Sequence, residues 1–163
     1  MSRKVPVSCI AQIAVVSAIY AALTVFLAPF SYGAVQVRMA EAMMLLCTCR
    51  KRWCAAMTIG CMLANLFSGM PVDFLFGTAA TLLAALLMYR IKKPVAAAFI
   101  PAITNGLLVG AELHLFLDLP FWLGALGVAA GEIISVAVIG LPILRAAKRS
   151  KMLAKLIGMP HIP

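Results

Sequence analysis

The sequence predicts an all-α polytopic membrane protein with six transmembrane helices, and three observations carry that prediction. Of its 163 residues, 64% are hydrophobic and only 12% are charged, whereas soluble domains average roughly 45–50% apolar and about 25% charged residues. Mean hydropathy is +1.07, the opposite of what disorder requires. The basic residues fall in short clusters between apolar stretches: Arg3/Lys4, Arg50/Lys51/Arg52, Arg90/Lys92/Lys93, and the series Arg145, Lys148, Arg149, Lys151, Lys155. A soluble fold of this length has too little interior to hide so much apolar surface, and no stretch of soluble composition is long enough for an appended domain. The whole chain, 1–163, therefore reads as one integral membrane domain. Its net charge of +9 would point to nucleic acid in a soluble chain; here the position of the charges makes the membrane reading the stronger one.

Each pair of basic clusters brackets enough apolar sequence for two crossings. The first pair encloses 10–28 and 38–49, separated by the turn-prone Pro29, Ser31 and Gly33. An apolar run of about 19 residues at the start exceeds the roughly 7–15 of a signal core, so the first segment reads as a retained helix. The second pair encloses 53–67 and 74–89, parted by Ser68-Gly69-Met70-Pro71, and the third encloses 94–113 and 122–144, parted by Asp118 and Pro120. A spanning helix takes about 20 residues, so segments two and three are short and imply a bent or partial span or a thinned bilayer. Thirteen of the fourteen basic residues lie at alternate ends of these segments, which places both termini in the cytoplasm and the chain in the cell membrane. Two readings stand for the basic tail, 145–163: a segment lying on the anionic inner surface, or a stop signal with a frayed end.

The five cysteines, Cys9, Cys47, Cys49, Cys54 and Cys61, are odd in number, lack CxxC spacing and fall on the reducing side, so they read as packing residues and not as a disulfide framework or zinc site. Neither a cofactor nor a metal is expected. The chain has no phosphate-binding loop and no HExxH, nor paired glutamates on one helix, so it reads as a non-enzyme with no ATPase of its own.

The informative residues are the acids, which cost about 2.5–3.5 kcal/mol each at a helix centre. All five, Glu41, Asp73, Glu112, Asp118 and Glu132, fall in the outer half of the predicted topology, as do the amides Asn65 and Asn105. Glu132 lies roughly 15 Å down helix six, counted at about 1.5 Å per residue. Asn105 and Glu112 are two turns apart and share a face. Arg38 and Glu41, three apart, are placed to pair. Each but one has a plainer reading beside the functional one: an ion pair fixing a loop for Arg38 and Glu41, an N-terminal cap for Asp73, interhelical hydrogen bonds for Asn65 and Asn105, the headgroup zone for Glu112, a solvated loop for Asp118 and His114, an interfacial anchor for Trp122. Glu132 is too deep for such an account. Together the acids describe an outward-facing, negative pocket suited to a small cation or a donor-rich heterocycle. A capture site with no engine needs a partner, and Ala14, Ala18 and Ala22 form a small-residue stripe on helix one that suits either partner docking or internal packing.

Five motifs then resemble the QueT family of queuosine-precursor transporters: Gln36-Val-Arg38-Met-Ala-Glu41-Ala, Gly60-Cys-Met-Leu-Ala-Asn65-Leu-Phe-Ser-Gly69, Asp73-Phe-Leu-Phe-Gly77-Thr-Ala-Ala-Thr81, Asn105-Gly-Leu-Leu-Val-Gly110-Ala-Glu112, and Pro120-Phe-Trp122 through Gly131-Glu132. The resemblance covers about residues 10–145 and is weakest at Cys47–Arg52. It implies a substrate-binding S component of an energy-coupling factor (ECF) transporter, working with a transmembrane T component and two ATPase subunits. The implied ligand is 7-aminomethyl-7-deazaguanine or a related 7-deazaguanine such as queuine. A carboxylate matches the paired N–H donors of its guanine edge, and an amide matches its acceptors. The expected substrate-binding residues are Glu132, Glu112, Asn105, Asn65, Glu41, Arg38, Asp73, Trp122 and Tyr32, the last two by stacking; Ala14, Ala18 and Ala22 are expected to dock the partner. The competing reading is a self-sufficient, proton-coupled secondary transporter of a small cation.

Overall fold

The computed structural model describes residues 6–31 and 36–159, and all of the regular structure among them is helical. Helix α1 (Val7–Phe26) is followed by a single turn, α2 (Ala28–Ser31), then by a 3-10 helix (Met39–Thr48), α3 (Lys51–Asn65) and α4 (Asp73–Ile91). The short α5 (Pro94–Ala97) leads into α6 (Ile100–Leu117). The last long helix is built from α7 (Phe121–Glu132), a π-helical stretch (Ile133–Gly140) and α8 (Leu141–Arg149), and a break at Ser150 precedes α9 (Lys151–Ile157).

Among the described residues, four segments are long and apolar enough to cross a membrane: Val7–Phe26, Asp73–Ile91, Pro94–Leu117 and Phe121–Arg149. The two expected to be short are short, with ten residues in the 3-10 helix and fifteen in α3. The 3-10 form partly offsets the deficit, because its rise of about 2.0 Å per residue stretches ten residues to about 20 Å, where an α-helix would cover about 15 Å. Its three-residue turn also lines up Glu41, Met44 and Cys47 in one buried row. The final helix runs five residues beyond the expected end at 144 because nothing in Arg145–Arg149 breaks it; Ser150, in extended backbone, stops it and accepts a hydrogen bond from the Leu153 amide at the start of α9.

Packing depends on small residues where helices touch. A Cβ on Gly60 would lie 2.8 Å from the Tyr20 Cβ, and one on Gly110 would lie 2.7 Å from the Ala125 Cα, so α1–α3 and α6–α7 approach at backbone distance. Gly140 receives the 3-10 helix in the same way, 3.0 Å from the Ala42 carbonyl. The main core gathers Tyr20, Met44, Leu45, Trp53, Met57, Met88 and Val136; a smaller one joins Ala80, Val109, Leu113 and Val128. Leu75, Ile103, Leu123, Leu126 and Val138 project outward, each more than 60% exposed in the isolated chain. That is the apolar-outside pattern of a protein solvated by lipid.

The bundle has two unlike ends. At one, the side chains of Arg52 and Trp53 donate to the carbonyls of Leu156 and Ile157, at 2.7 and 3.0 Å. Cys54 Sγ reaches the Ala85 carbonyl at 3.3 Å, bringing the end of α4 to the start of α3. The described basic clusters thus collect together, and α9 is folded against α3, with Ala154 and Ile157 buried. At the other end, the Phe76 and Phe116 rings meet edge to face, centroids 5.9 Å apart.

Candidate functional site

Between the two ends, nearer the Phe76–Phe116 end, the fold buries a group of polar side chains contributed by every long element. Glu41 and Glu112 are 0% exposed, Asn65 2%, Asn105 and Glu132 3%, Arg38 4% and Asp73 5%. Seven of the nine side chains expected at a substrate site therefore lie inside the bundle. Trp122 does not: it is 68% exposed and stacks edge-on against Phe121 at 4.8 Å, in the position of an interfacial anchor. Tyr32 lies outside the described residues.

The segment Gln36–Arg38 brings the cation in. Its backbone crosses α7 at Gly131, where a Cβ would collide with the Gln36 carbonyl, so only glycine lets the strand pass at this depth. The Val37 amide donates to the Phe30 carbonyl at 3.0 Å, tying the segment to α2. The Arg38 side chain then enters the bundle, donates from Nε to the Ser31 carbonyl at 3.3 Å and faces Cys61 Sγ at 3.9 Å, with the carboxyls of Glu41 and Asp73 and the Tyr20 hydroxyl in its field. Among the described residues, four carboxyls, those of Glu41, Asp73, Glu112 and Glu132, are buried in the same bundle as this guanidinium.

The acids are held in distinct ways. The Tyr20 hydroxyl donates to Glu41 Oε1. Asn105 Nδ2 donates to Glu132 Oε1 at 2.5 Å, linking α6 to α7. The Glu112 carboxyl, from the far end of α6, lies in the electrostatic field of the Asp73 carboxyl at the start of α4. Asp73 does not cap α4: Val72 is the N-cap residue, and no side chain caps the helix. Asn65 Nδ2 donates to the Asp73 carbonyl at 2.9 Å and to Cys61 Sγ at 3.4 Å. Both amides thus make the interhelical bonds of the plainer reading while leaving Oδ1 uncommitted. Asp118 is exposed with φ of 54°, a left-handed residue ending α6, and His114 Nδ1 sits 2.8 Å from the Leu119 carbonyl in the same turn; neither belongs to the cluster.

Unspent hydrogen-bonding capacity defines the chemistry of the site. Glu41 Oε2, Asn65 Oδ1, Asn105 Oδ1, both oxygens of Glu112, and Glu132 Oε2 are buried with no donor among the described residues. Such atoms are rare in folded proteins, because each costs about 1–3 kcal/mol. These six are acceptors; the buried hydroxyls of Ser31 and Ser135, also without a partner among the described residues, can accept or donate. The arrangement fits a ligand that brings several N–H donors and positive charge; an anion would meet four carboxyls and one cation.

Several residues were not singled out from the sequence. Tyr20 positions Glu41, and the thiol of Cys61 accepts from Arg38, Asn65 and Thr81 (3.2 Å from Thr81 Oγ1), joining α3, α4 and the Arg38 segment. Ser17, Tyr20 and Thr24 form a polar stripe at helical spacing in α1, and all three are buried. That stripe is a signal visible in the sequence. Ala14, Ala18 and Ala22 lie on the opposite, exposed side of α1.

A family model described as QueT transporter matches residues 10–149. The protein "Queuosine precursor transporter QueT" of Lactococcus lactis subsp. cremoris (strain MG1363) is 38% identical over 90 residues, which are 52% of this chain and 53% of that protein. The chain spans about half the length of the curated relative it matches. No solved structure matches it. The family and this relative are transporters, not enzymes, which agrees with a buried, donor-seeking polar cluster inside a lipid-solvated bundle. With the family match running through four apolar spans and every acid of that cluster, the chain belongs to the QueT transporter family.

Proposed function

We propose that this protein is the substrate-binding S component of an ATP-driven ECF-type importer, and that it captures a queuosine precursor, 7-aminomethyl-7-deazaguanine or a related 7-deazaguanine such as queuine. The observation that carries this reading is the set of unpaired acceptors on Glu41, Asn65, Asn105, Glu112 and Glu132. A 7-deazaguanine supplies what they lack: a guanine edge with parallel N–H donors, and in the aminomethyl form a cation. Glu132, the deepest acid, or Glu112 accepts from the guanine edge, and another acid of the cluster holds the amine. Asn105 and Asn65 complete the hydrogen bonds, while Arg38 balances part of the negative charge.

In this reading the chain is one membrane domain that crosses the cell membrane six times, the 3-10 helix and α3 being the two short crossings. The end carrying Arg52, Trp53 and α9 faces the cytoplasm with both termini, as the positive-inside rule predicts, and the acid cluster lies toward the outside. The exposed alanine stripe of α1, at positions 14, 18 and 22, packs against a transmembrane T component, which with two ATPase subunits supplies the energy.

Isothermal titration of purified protein with 7-aminomethyl-7-deazaguanine tests the substrate, with guanine and thiamine as controls. Saturable, selective binding is expected. Selective binding of a different vitamin would overturn the substrate while leaving the transporter class intact. Uptake by vesicles containing the chain alone, driven by a proton gradient and indifferent to ATP, would overturn the S-component role.

A further inference from the structure

At the basic end of the bundle, far from the carboxyl cluster, two clefts meet beside α1. The first, of about 530 Å³, is lined by Gln12, Arg50, Arg52, Met152, Lys155 and Leu156. The second, of about 210 Å³, shares Gln12 and Leu156 and continues along Ala11, Val15, Val16 and Trp53. They differ in chemistry. The first carries three cationic side chains and no acid, while the surface the second presents is wholly apolar.

The charged cleft also has unspent donors. Arg52 is oriented by its NH2 bond to the Leu156 carbonyl at 2.7 Å and by the Trp53 ring, 4.6 Å from its guanidinium carbon, yet its buried Nε has no acceptor among the described residues. Arg50 rests against Gly158, where a Cβ would displace it, and it and Lys155 open to solvent. Gln12 Oε1, at the junction of the two clefts, is buried with no donor among the described residues. A cationic cleft continuous with an apolar one, on a helix whose outer face is apolar, matches an amphiphile with a phosphate at one end and hydrocarbon at the other.

We infer that these joined clefts bind an anionic phospholipid. Arg50, Arg52 and Lys155 take the phosphate, Gln12 accepts a hydrogen bond from a headgroup hydroxyl, and an acyl chain lies along Ala11, Val15 and Val16. A free phosphate would fill only the first cleft. Because α1, α3 and α9 all contribute walls, the lipid holds the carboxy-terminal helix in place. The inference rests on the chain being a membrane protein and not on the identity of its substrate.

The test is native mass spectrometry of the full-length protein in a non-ionic detergent, with dioleoyl-phosphatidylglycerol, dioleoyl-phosphatidylcholine or inorganic phosphate added. One phosphatidylglycerol is expected to stay bound where phosphatidylcholine does not, and millimolar phosphate is not expected to displace it. The double variant Arg50→Gln/Lys155→Gln is expected to weaken phosphatidylglycerol binding roughly 25-fold, about fivefold per charge removed, with titration of the deazaguanine unchanged. Arg90→Gln/Lys93→Gln, at the same end but outside the clefts, is the control for diffuse surface charge. Equal loss in that control, displacement by phosphate alone, or failure of the folded native protein to retain phosphatidylglycerol would each overturn the assignment; the last would leave the clefts to a protein partner.

Discussion

Replacing Glu132 with glutamine separates a ligand-binding acid from a structural one, because the two roles predict opposite signs for two measurements. In the native site one oxygen of Glu132 accepts from Asn105 at 2.5 Å, and the other is buried with no donor among the described residues. Glutamine keeps an acceptor for Asn105 but places an NH2 where the free oxygen stood. A ligand N–H that met the carboxylate loses a charge-assisted bond, worth about 1.5–3 kcal/mol, and meets a donor instead, at about 1–3 kcal/mol. Because the two overlap, the expected sum is about 3–4 kcal/mol, a rise in Kd of about 100- to 1,000-fold. The ligand-free protein changes the other way: a buried acid only half satisfied by Asn105 is gone, and since an acid in a bilayer interior costs about 2.5–3.5 kcal/mol, its Tm rises. Titration calorimetry and thermal unfolding of the same preparation read both numbers. A Kd within about threefold of native, equivalent to less than about 0.7 kcal/mol, refutes contact between this carboxylate and the ligand. A fall in Tm together with lost binding refutes the claim that the acid is only half satisfied without ligand. Trp122→Ala is the matched control: with the ring 68% exposed, its Kd is expected to stay at the native value.

Tyr20→Phe leaves both oxygens of Glu41 without a donor among the described residues, and a loss of about 1–3 kcal/mol in unfolding free energy is expected; an unchanged denaturant midpoint would exclude Tyr20 as the support of Glu41. Gly131→Ala drives a Cβ into the Gln36 carbonyl oxygen, whereas the contacts of Gly124→Ala are much longer, 3.3 and 3.4 Å to Leu113 Cδ1 and Cβ and 3.7 Å to the Gly110 Cα. The first is therefore expected to cost about 1–3 kcal/mol and most ligand binding, the second little of either, and titration of the pair side by side checks the order. Trp53→Phe removes the bond to the Ile157 carbonyl, about 1 kcal/mol, and is expected to speed tryptic cleavage at Lys151 and Lys155; identical cleavage rates would show that α9 is held by other contacts. Ala18→Trp, on the exposed face of α1, is expected to retain deazaguanine binding while losing co-purification with the T and ATPase subunits. Loss of both together would place Ala18 in the fold instead of the docking face.

Particular residues show why some of this was legible beforehand. Acids in an apolar helix are expensive wherever the helix packs, so Glu41, Glu112 and Glu132 stood out by residue type, Glu132 by depth as well, and the fold buries all three. Trp122 was ambiguous because an aromatic near a helix start serves equally as an anchor or a stacking platform; its exposure matches the anchor. Asp73 looked like a cap from its place after Pro71, but the first helical residue and the residue before it differ by one position, and the carboxyl, one place too late to cap, is buried in the bundle instead. Cys61 was invisible as a site residue because a thiol in a bilayer ordinarily packs as a small apolar group. Its contacts with Arg38, Asn65 and Thr81 come from three different parts of the chain.

By itself, the sequence determined the solvent, the helical class, the short second and third segments, and the separation of basic from acidic residues along the chain. These are one-dimensional properties: transfer free energies add residue by residue, and a backbone in lipid has no choice but to satisfy itself within a helix. The tertiary structure alone decided the 3-10 and π forms of the two helices that pack on each other, the passage of the Gln36–Arg38 backbone over Gly131, and the pairing of Asn105 with Glu132 across 27 positions. Those outcomes depend on which backbones come close enough to touch. Contact distance between elements is a property of the packed bundle that no local pattern encodes.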